Sequence, residues 1–170
     1  MAPADGEVVP AAATGFLAAF SGRDPGAFAA HCDPGIHYED PLTPAPLRGH
    51  RELADHARQL WKGFPDARVE AAGTPPAAHG AIAIPFRLEG THRAMVGGLP
   101  ATGRAVTVHG IVYAEPAGDG RLLRVRVFFD LYDAGVQLGV MPARGGLGEK
   151  ALLILRGFGL RARDAGPPTS

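Results

Sequence analysis

Residues 104–132 read RAVTVHGIVYAEPAGDGRLLRVRVFFDLY, and this stretch decides the fold. It contains two strand-length runs joined by Pro116-Ala117-Gly118-Asp119-Gly120, a hairpin turn with Asp-Gly in it. The second run alternates. Leu123, Val125, Val127 and Phe129 fall on one side; Leu122, Arg124, Arg126, Phe128 and Asp130 fall on the other. In the first run His109 shares a side with Thr107, Ile111 and Tyr113.

Working outward, two more strand candidates precede the hairpin, at about 67–74 and 80–90, beside the hairpin's own 104–115 and 121–132. Upstream of them the period changes. Ala11 to Phe20 carries Phe16, Leu17 and Phe20 at helical spacing. Ser21-Gly22-Arg23-Asp24-Pro25 stops that helix, and Asp24 then Pro25 predicts an N-cap followed by Pro at the first position of a short second helix reaching about His31. Ile36 to Asp40 reads as a brief strand closed by Pro41, and Pro41 to Pro46 as an extended loop. His50 to Phe64 reads as a helix with Leu53, Ala57, Leu60, Trp61 and Phe64 inward, and residues 147–160 as a final helix. Helices first and a run of antiparallel strands after them is an α+β arrangement, with helices covering one face of a curved sheet and room for a pocket between. Residues 1–10 read as a flexible N-terminal arm, 11–163 as one domain, and 164–170 as a frayed tail.

The chain has 170 residues, one domain's worth, and 17 basic against 17 acidic side chains, for a net charge of zero. Neutrality argues against nucleic acid, which needs a basic surplus on one face, and against an anionic membrane surface. It mildly favours self-association. No apolar run approaches a membrane span and no signal peptide is recognisable, so the expectation is a cytoplasmic protein. The single Cys32 excludes a disulfide scaffold. Phosphate-binding, dinucleotide and zinc-protease motifs are missing, and Ser21 and Ser170 are the only serines. His31, His37 and Asp40 do not make a convincing metal set, so no metal is expected.

Two carboxylates end strands among apolar neighbours. Asp40 follows Ile36 and Tyr38 on one face, and Asp130 follows Phe128 on its face. Either is a solvated strand end, or desolvation raises its pKa toward that of a useful general acid or base. His109 is either a structural histidine or an imidazole beside Tyr113 able to orient a carbonyl or shuttle a proton. His92, in the Gly90-Thr91-His92 turn, is equally open. Trp61 and His56 sit on the helix face that should cover the sheet; for Trp61 core packing is the plainer reading.

Seven pieces then occur in order over roughly residues 12–142. They are His37-Tyr38-Glu39-Asp40-Pro41 with Leu47-Arg48-Gly49; Phe64-Pro65-Asp66; Gly90-Thr91-His92; Leu99-Pro100-Ala101-Thr102-Gly103; Val106-Thr107-Val108-His109-Gly110; Asp119-Gly120-Arg121; and Asp130 with Gln137-Leu138-Gly139. Together they resemble the SnoaL-like polyketide cyclases of the nuclear transport factor 2-like fold group. The resemblance implies a cone-shaped α+β barrel, its curved mixed sheet wrapped around N-terminal helices, with a mainly apolar pocket and no cofactor. It implies an acid/base Asp at the end of the last long strand, here Asp130, and closure of a polyketide ring by intramolecular aldol condensation. A lone carboxylate suits that chemistry, because a C–H between two carbonyls is acidic and its enolate is delocalised. On this reading Asp130 is base then acid, and His109 and His92 stand near the carbonyl. Tyr38, Trp61, Phe128, Phe16, Tyr113 and Arg126 line the pocket. The partner is a polyketide-like small molecule, and the resemblance suggests a homo-oligomer, dimer or tetramer.

Glu39-Asp40-Pro41 also resembles the catalytic Asp segment of ketosteroid isomerases in the same fold group. There a Tyr on the first helix completes an oxyanion hole; Phe16 stands at that position and cannot donate a hydrogen bond. Asp40 therefore remains a second candidate carboxylate. Asp40, Arg126 and Asp130 also offer the residue types of a limonene epoxide hydrolase set, without its motif. An Arg126–Asp130 pair would lower the Asp130 pKa and weaken it as a base. Three readings follow: a cofactor-independent cyclase or isomerase; the same pocket used for epoxide opening, dehydration or oxygenation; and a small-molecule-binding module with no catalysis.

Overall fold

The computed structural model describes residues 5–73, 77–78 and 80–155. Helices α1 (Asp5–Gly22) and α2 (Phe28–His31) lead into strand β1 (Cys32–Glu39). A two-residue β2 (Leu47–Arg48) precedes α3 (Gly49–Gly63). Then come β3 (Arg68–Ala71), β4 (Ala77–Ala78), β5 (Ala81–Thr91), β6 (Ala105–Pro116) and β7 (Leu122–Phe129), followed by α4 (Leu131–Gln137) and α5 (Leu147–Leu155).

The strands form one curved mixed sheet in the order β2-β1-β7-β6-β5-β3, with β4 also paired to β5. All neighbours run antiparallel except β1 and β7, which are parallel. The β6–β7 hairpin pairs Ala114 with Val125 and Val112 with Val127. These valines and alanines face the helices. Phe16, Phe28, Ile36, Leu53, Ile82, Ile84, Leu122 and Val125 are fully buried between sheet and helices. Each such side chain contributes about 1.5–3 kcal/mol by leaving water.

Polar clasps fix the helices onto this surface. The Ser21 hydroxyl donates to the Val69 carbonyl at 2.6 Å and accepts from the Val69 amide at 2.9 Å, tying the end of α1 to edge strand β3. Trp61 donates its Nε1–H to the Phe20 carbonyl at 2.9 Å, joining α3 to α1. Glu52, in the first turn of α3, reaches back to accept from the Arg48 amide at 2.8 Å, which satisfies one of the donors left free at the helix start. The Gln137 amide donates to the Thr107 carbonyl and accepts from its N–H, at 2.9 and 2.8 Å, seating α4 on β6. Gly110 is required by close approach. A Cβ there would meet the Phe128 carbonyl oxygen and, at 2.6 Å, the ring of its cross-strand partner Phe86.

Several local expectations change. Residues 5–10, read as part of a loose arm, continue α1 toward the N-terminus; residues 1–4 and the 164–170 tail lie outside the described residues, as do 156–160 of the last helix. Asp24 does not cap a helix starting at Pro25. Its side chain accepts from Gly26 within a turn, and α2 begins only at Phe28. The strand expected at 36–40 starts four residues earlier, at Cys32, because it pairs in parallel with β7.

The largest correction concerns the faces of the hairpin. Sequence alternation groups Arg126, Phe128 and Asp130 correctly, yet their side is the outer face of the sheet. A register shift at the start of β7 breaks the alternation, so Leu122, grouped with them, is fully buried and Leu123, grouped with Val125, is exposed. Val125, Val127 and Phe129 face inward, since burying valines and a phenylalanine is favourable where burying two arginines is not. The same parity turns His109, Ile111 and Tyr113 outward on β6, while Val108, Val112 and Ala114 point in.

Candidate functional site

Between the inner face of the sheet and the helices lies a cavity of about 610 Å³. Phe16, Phe20, Tyr38, Trp61, Phe64, Phe86 and Phe129 give it an aromatic wall, and Leu42, Val140 and Met141 are also among its lining residues. Its titratable lining groups are Tyr38, Asp40, His56 and His92.

Three of them form one cluster. Asp40 follows the last residue of β1 and keeps the inward parity of Ile36 and Tyr38. Pro41 and a turn closed by the Thr43 amide on the Asp40 carbonyl, at 3.1 Å, hold the backbone there. The carboxylate accepts the Tyr38 hydroxyl at 2.8 Å and the His56 Nε2 at 2.7 Å on one oxygen, and the Leu42 amide at 2.8 Å on the other. Its side chain is only 3% exposed and that of His56 13%. Burial pushes the Asp40 pKa up. The hydrogen bond and positive charge of His56, with the Tyr38 and Leu42 bonds, outweigh it and hold the carboxyl below its ordinary value. The expected upward shift is thus reversed. Asp40 stays ionised, so His56 donates through its Nε2–H in their bond, and in the neutral imidazole Nδ1 carries the free lone pair. Burial, then the neighbouring Asp40 charge and bond, push the Tyr38 phenol far up, so it stays protonated.

His92 forms a second polar point. It follows β5, is fully buried, and stacks on Phe64 with ring centroids 5.1 Å apart. Its Nδ1 accepts from the Thr102 amide at 3.3 Å, which leaves the ring proton on Nε2. Nε2 has no partner among the described residues. A buried donor left unpaired costs about 1–3 kcal/mol.

The other expected site residues lie elsewhere. Asp130 is not among the cavity-lining residues. Its side chain is 49% exposed, caps α4 by accepting the Asp133 amide at 2.9 Å, and pairs with Arg144 at 2.5 Å. The Asp133 bond first, then Arg144, lower its pKa. A cation does weaken Asp130 as a base, but that cation is Arg144. Arg126 is exposed and pairs with Glu39 at 3.6 Å, so Asp40, Arg126 and Asp130 do not form one set. His109 and Phe128 are exposed and Tyr113 half-buried on the outer face. Phe16 and Trp61 line the cavity, and Trp61 spends its only N–H on Phe20. His31 and His37 do not join Asp40, and among the described residues no three metal-ligating side chains gather. Burial pushes the Cys32 thiol up to about 12, so it is unreactive.

The residue that sequence reading placed on the right face without its partner is His56. The available signal was a histidine on an otherwise apolar stripe of α3 opposite a strand-end aspartate.

The sequence matches the SnoaL-like polyketide cyclase family over residues 11–138. The chain belongs to that family. No curated protein matches it in sequence. Among solved structures, the family member is similar to AclR from Streptomyces galilaeus, provisionally described as a hydroxylase. Identity is 20%, the TM-score 0.67, and the match covers 82% of this chain and 100% of that one. It is similar to IdmH from Streptomyces antibioticus, provisionally described as a polyketide cyclase, at 20% identity and TM-score 0.65, covering 76% and 97%. A protein of ketosteroid isomerase-like fold from Catenulispora acidiphila matches at 17% identity and TM-score 0.65, covering 79% and 95%. At these identities the likeness establishes the fold. Among the described residues no helix of this SnoaL-like protein is long and apolar enough to cross a membrane.

Proposed function

We propose that this SnoaL-like protein closes a ring in a polyketide-like small molecule by cofactor-independent acid/base chemistry of the aldol type. The observation that carries the reading is the Asp40–His56–Tyr38 cluster, buried at the wall of an apolar cavity. Asp40 accepts three hydrogen bonds and is held ionised, which makes it a weak base and a good orienting group. His56 is therefore the proton carrier. Its Nδ1 takes a proton from a carbon flanked by carbonyls, and the imidazolium so formed is stabilised by Asp40. The resulting enolate carbon attacks a second carbonyl of the same molecule, forming the C–C bond, and the new alkoxide takes the proton back. No atom is gained or lost. The aromatic wall folds the substrate and excludes water, which supplies proximity.

The same reading includes a homodimer formed through the outer sheet face. There Ile111 and Phe128 are cross-strand partners and both exposed, with Tyr113 on the same face of β6. The pairs Arg87–Glu89, Arg124–Glu115 and Arg126–Glu39 put both charge signs on that part of the surface, a pattern a second copy can complement. Cytoplasmic placement belongs to this reading too, in keeping with the lone unpaired Cys32.

Methyl naphthyl ketone in deuterated water tests the proton step without knowledge of the natural substrate. The protein should accelerate deuterium entry at the methyl group, and His56→Phe should remove that acceleration. Equal exchange by both chains would sink the reading. Aromatic β-keto esters, followed by product analysis, then test ring closure itself.

A further inference from the structure

We propose that Tyr38 is a positioning residue for the base: it acts on His56 through the single Asp40 oxygen that both side chains hold, and so sets the pH at which the imidazole is free to take a proton. The inference rests on the ring-closure reading, in which His56 carries the proton.

Asp40 receives three donors on two oxygens. The Leu42 amide holds Oδ1 alone, at 2.8 Å. The Tyr38 hydroxyl, at 2.8 Å, and the His56 Nε2, at 2.7 Å, meet on Oδ2. Two donors on one oxygen share its charge, so the Tyr38 bond weakens what Oδ2 offers His56. The loss falls unequally. A carboxylate binds an imidazolium more strongly than a neutral imidazole, so drawing charge from Oδ2 destabilises the protonated ring more than the neutral one. Tyr38 thereby favours the neutral form, whose Nδ1 lone pair the proton step requires.

Tyr38 suits this role. It is buried, and its ring centroid lies 5.7 Å from that of His56 and 6.1 Å from that of Phe16. Among the described residues its hydroxyl meets no acceptor but Asp40, and no third group donates to Oδ2. The phenol stays protonated, so the donor is present at every working pH. No lysine or arginine is among the cavity-lining residues. Glu52 and Asp55 line a surface hollow together with His56, and they are engaged by the Arg48 amide and by Arg58. His92, the remaining titratable group of the cavity, is bonded to Thr102. With little solvent and few charges around the cluster, one hydrogen bond on Oδ2 has a measurable effect.

Two variants of the full chain test this by pulling in opposite directions. Tyr38→Phe keeps the ring and deletes the donor. Tyr38→3-fluorotyrosine keeps the shape and makes the phenol more acidic, hence a stronger donor. Two readouts are followed against pH: deuterium exchange into methyl naphthyl ketone, and the ring resonances of His56 in protein labelled with ¹⁵N-histidine. In Tyr38→Phe the midpoint of both should rise by about half a pH unit to one unit, the range for a single hydrogen bond. In Tyr38→3-fluorotyrosine both should fall by a smaller amount. A residue with a purely structural role would not give signed shifts that follow donor strength, and the fluorinated chain tests the proposal even if Tyr38→Phe does not fold. Midpoints that stay put in the fluorinated chain, or that move the same way in both variants, overturn it. Exchange lost in His56→Phe beside unmoved midpoints removes the Tyr38 role and leaves the ring-closure reading standing. Exchange that survives His56→Phe removes the base, and with it the role proposed for Tyr38, even where the His56 resonances shift as expected.

Discussion

Asp40 and Asp130 stand at matching places and have opposite surroundings. Each is the residue just after a long strand, and the two strands, β1 and β7, are parallel neighbours. Asp40 shares the inward parity of Tyr38 and is 3% exposed; Asp130 shares the outward parity of Phe128 and is 49% exposed. One carboxylate holds a buried histidine and tyrosine. The other caps α4 and meets Arg144 in solvent. A one-residue change of parity decides whether a strand-end acid faces the cavity or the water.

The comparison breaks most visibly at His56. Removing the proposed proton carrier should lower exchange of methyl naphthyl ketone by about 10²–10⁴-fold, the usual worth of a positioned general base; NMR of the methyl signal reads this directly.

Acid unfolding sharpens the contrast next. The Asp40 carboxyl is lowered in the fold, so its stabilisation is complete above the unfolded carboxylate pKa of about 3.9 and is lost as pH falls through the lower folded value. Asp40→Asn should therefore reduce stability at neutral pH, and its deficit against wild type should shrink on acidification below about pH 4. Urea midpoints at several pH values measure the difference. A constant gap down to strong acid would contradict the assignment.

A smaller effect belongs to the outer face on which Asp130 lies. Phe128→Lys should convert the proposed homodimer to monomer in light scattering, because a 55%-exposed phenylalanine is replaced by a charge at the face proposed to be shared. Exchange per chain should stay within about twofold of wild type, since no residue of that face lines the cavity. The smallest effect is expected for Asp130→Asn. Asn also caps helices well, so its thermal midpoint should stay close to that of wild type.

The sheet was largely legible because its strands alternate over most of their length and its hairpin turn is explicit, while the register shift at Leu122–Arg124 left no mark in the pattern. Phe16, Leu53 and Ile36 announced a core through helical or strand spacing. The site was legible in its pieces. Tyr38 and Asp40 share a face by period two, and both line the cavity. Alternation alone cannot say which face of β7 is inward; that is settled by the total of buried apolar surface across the sheet, a tertiary quantity. The resemblance weighted Asp130, and the packing of Val127 and Phe129 moved it outside. The Asp40–His56 bond joins α3 to the end of β1 across sixteen positions of sequence, and no local pattern encodes such a contact.

The most direct test of the central claim sets the two carboxylates side by side. Deuterium exchange into methyl naphthyl ketone is measured for wild type, Asp40→Asn and Asp130→Asn at equal folded concentration. The account predicts that Asp40→Asn loses at least about a hundredfold, because the imidazole loses the carboxylate that orients it and stabilises its protonated form, while Asp130→Asn keeps the wild-type rate. Loss in Asp130→Asn with full activity in Asp40→Asn would contradict it.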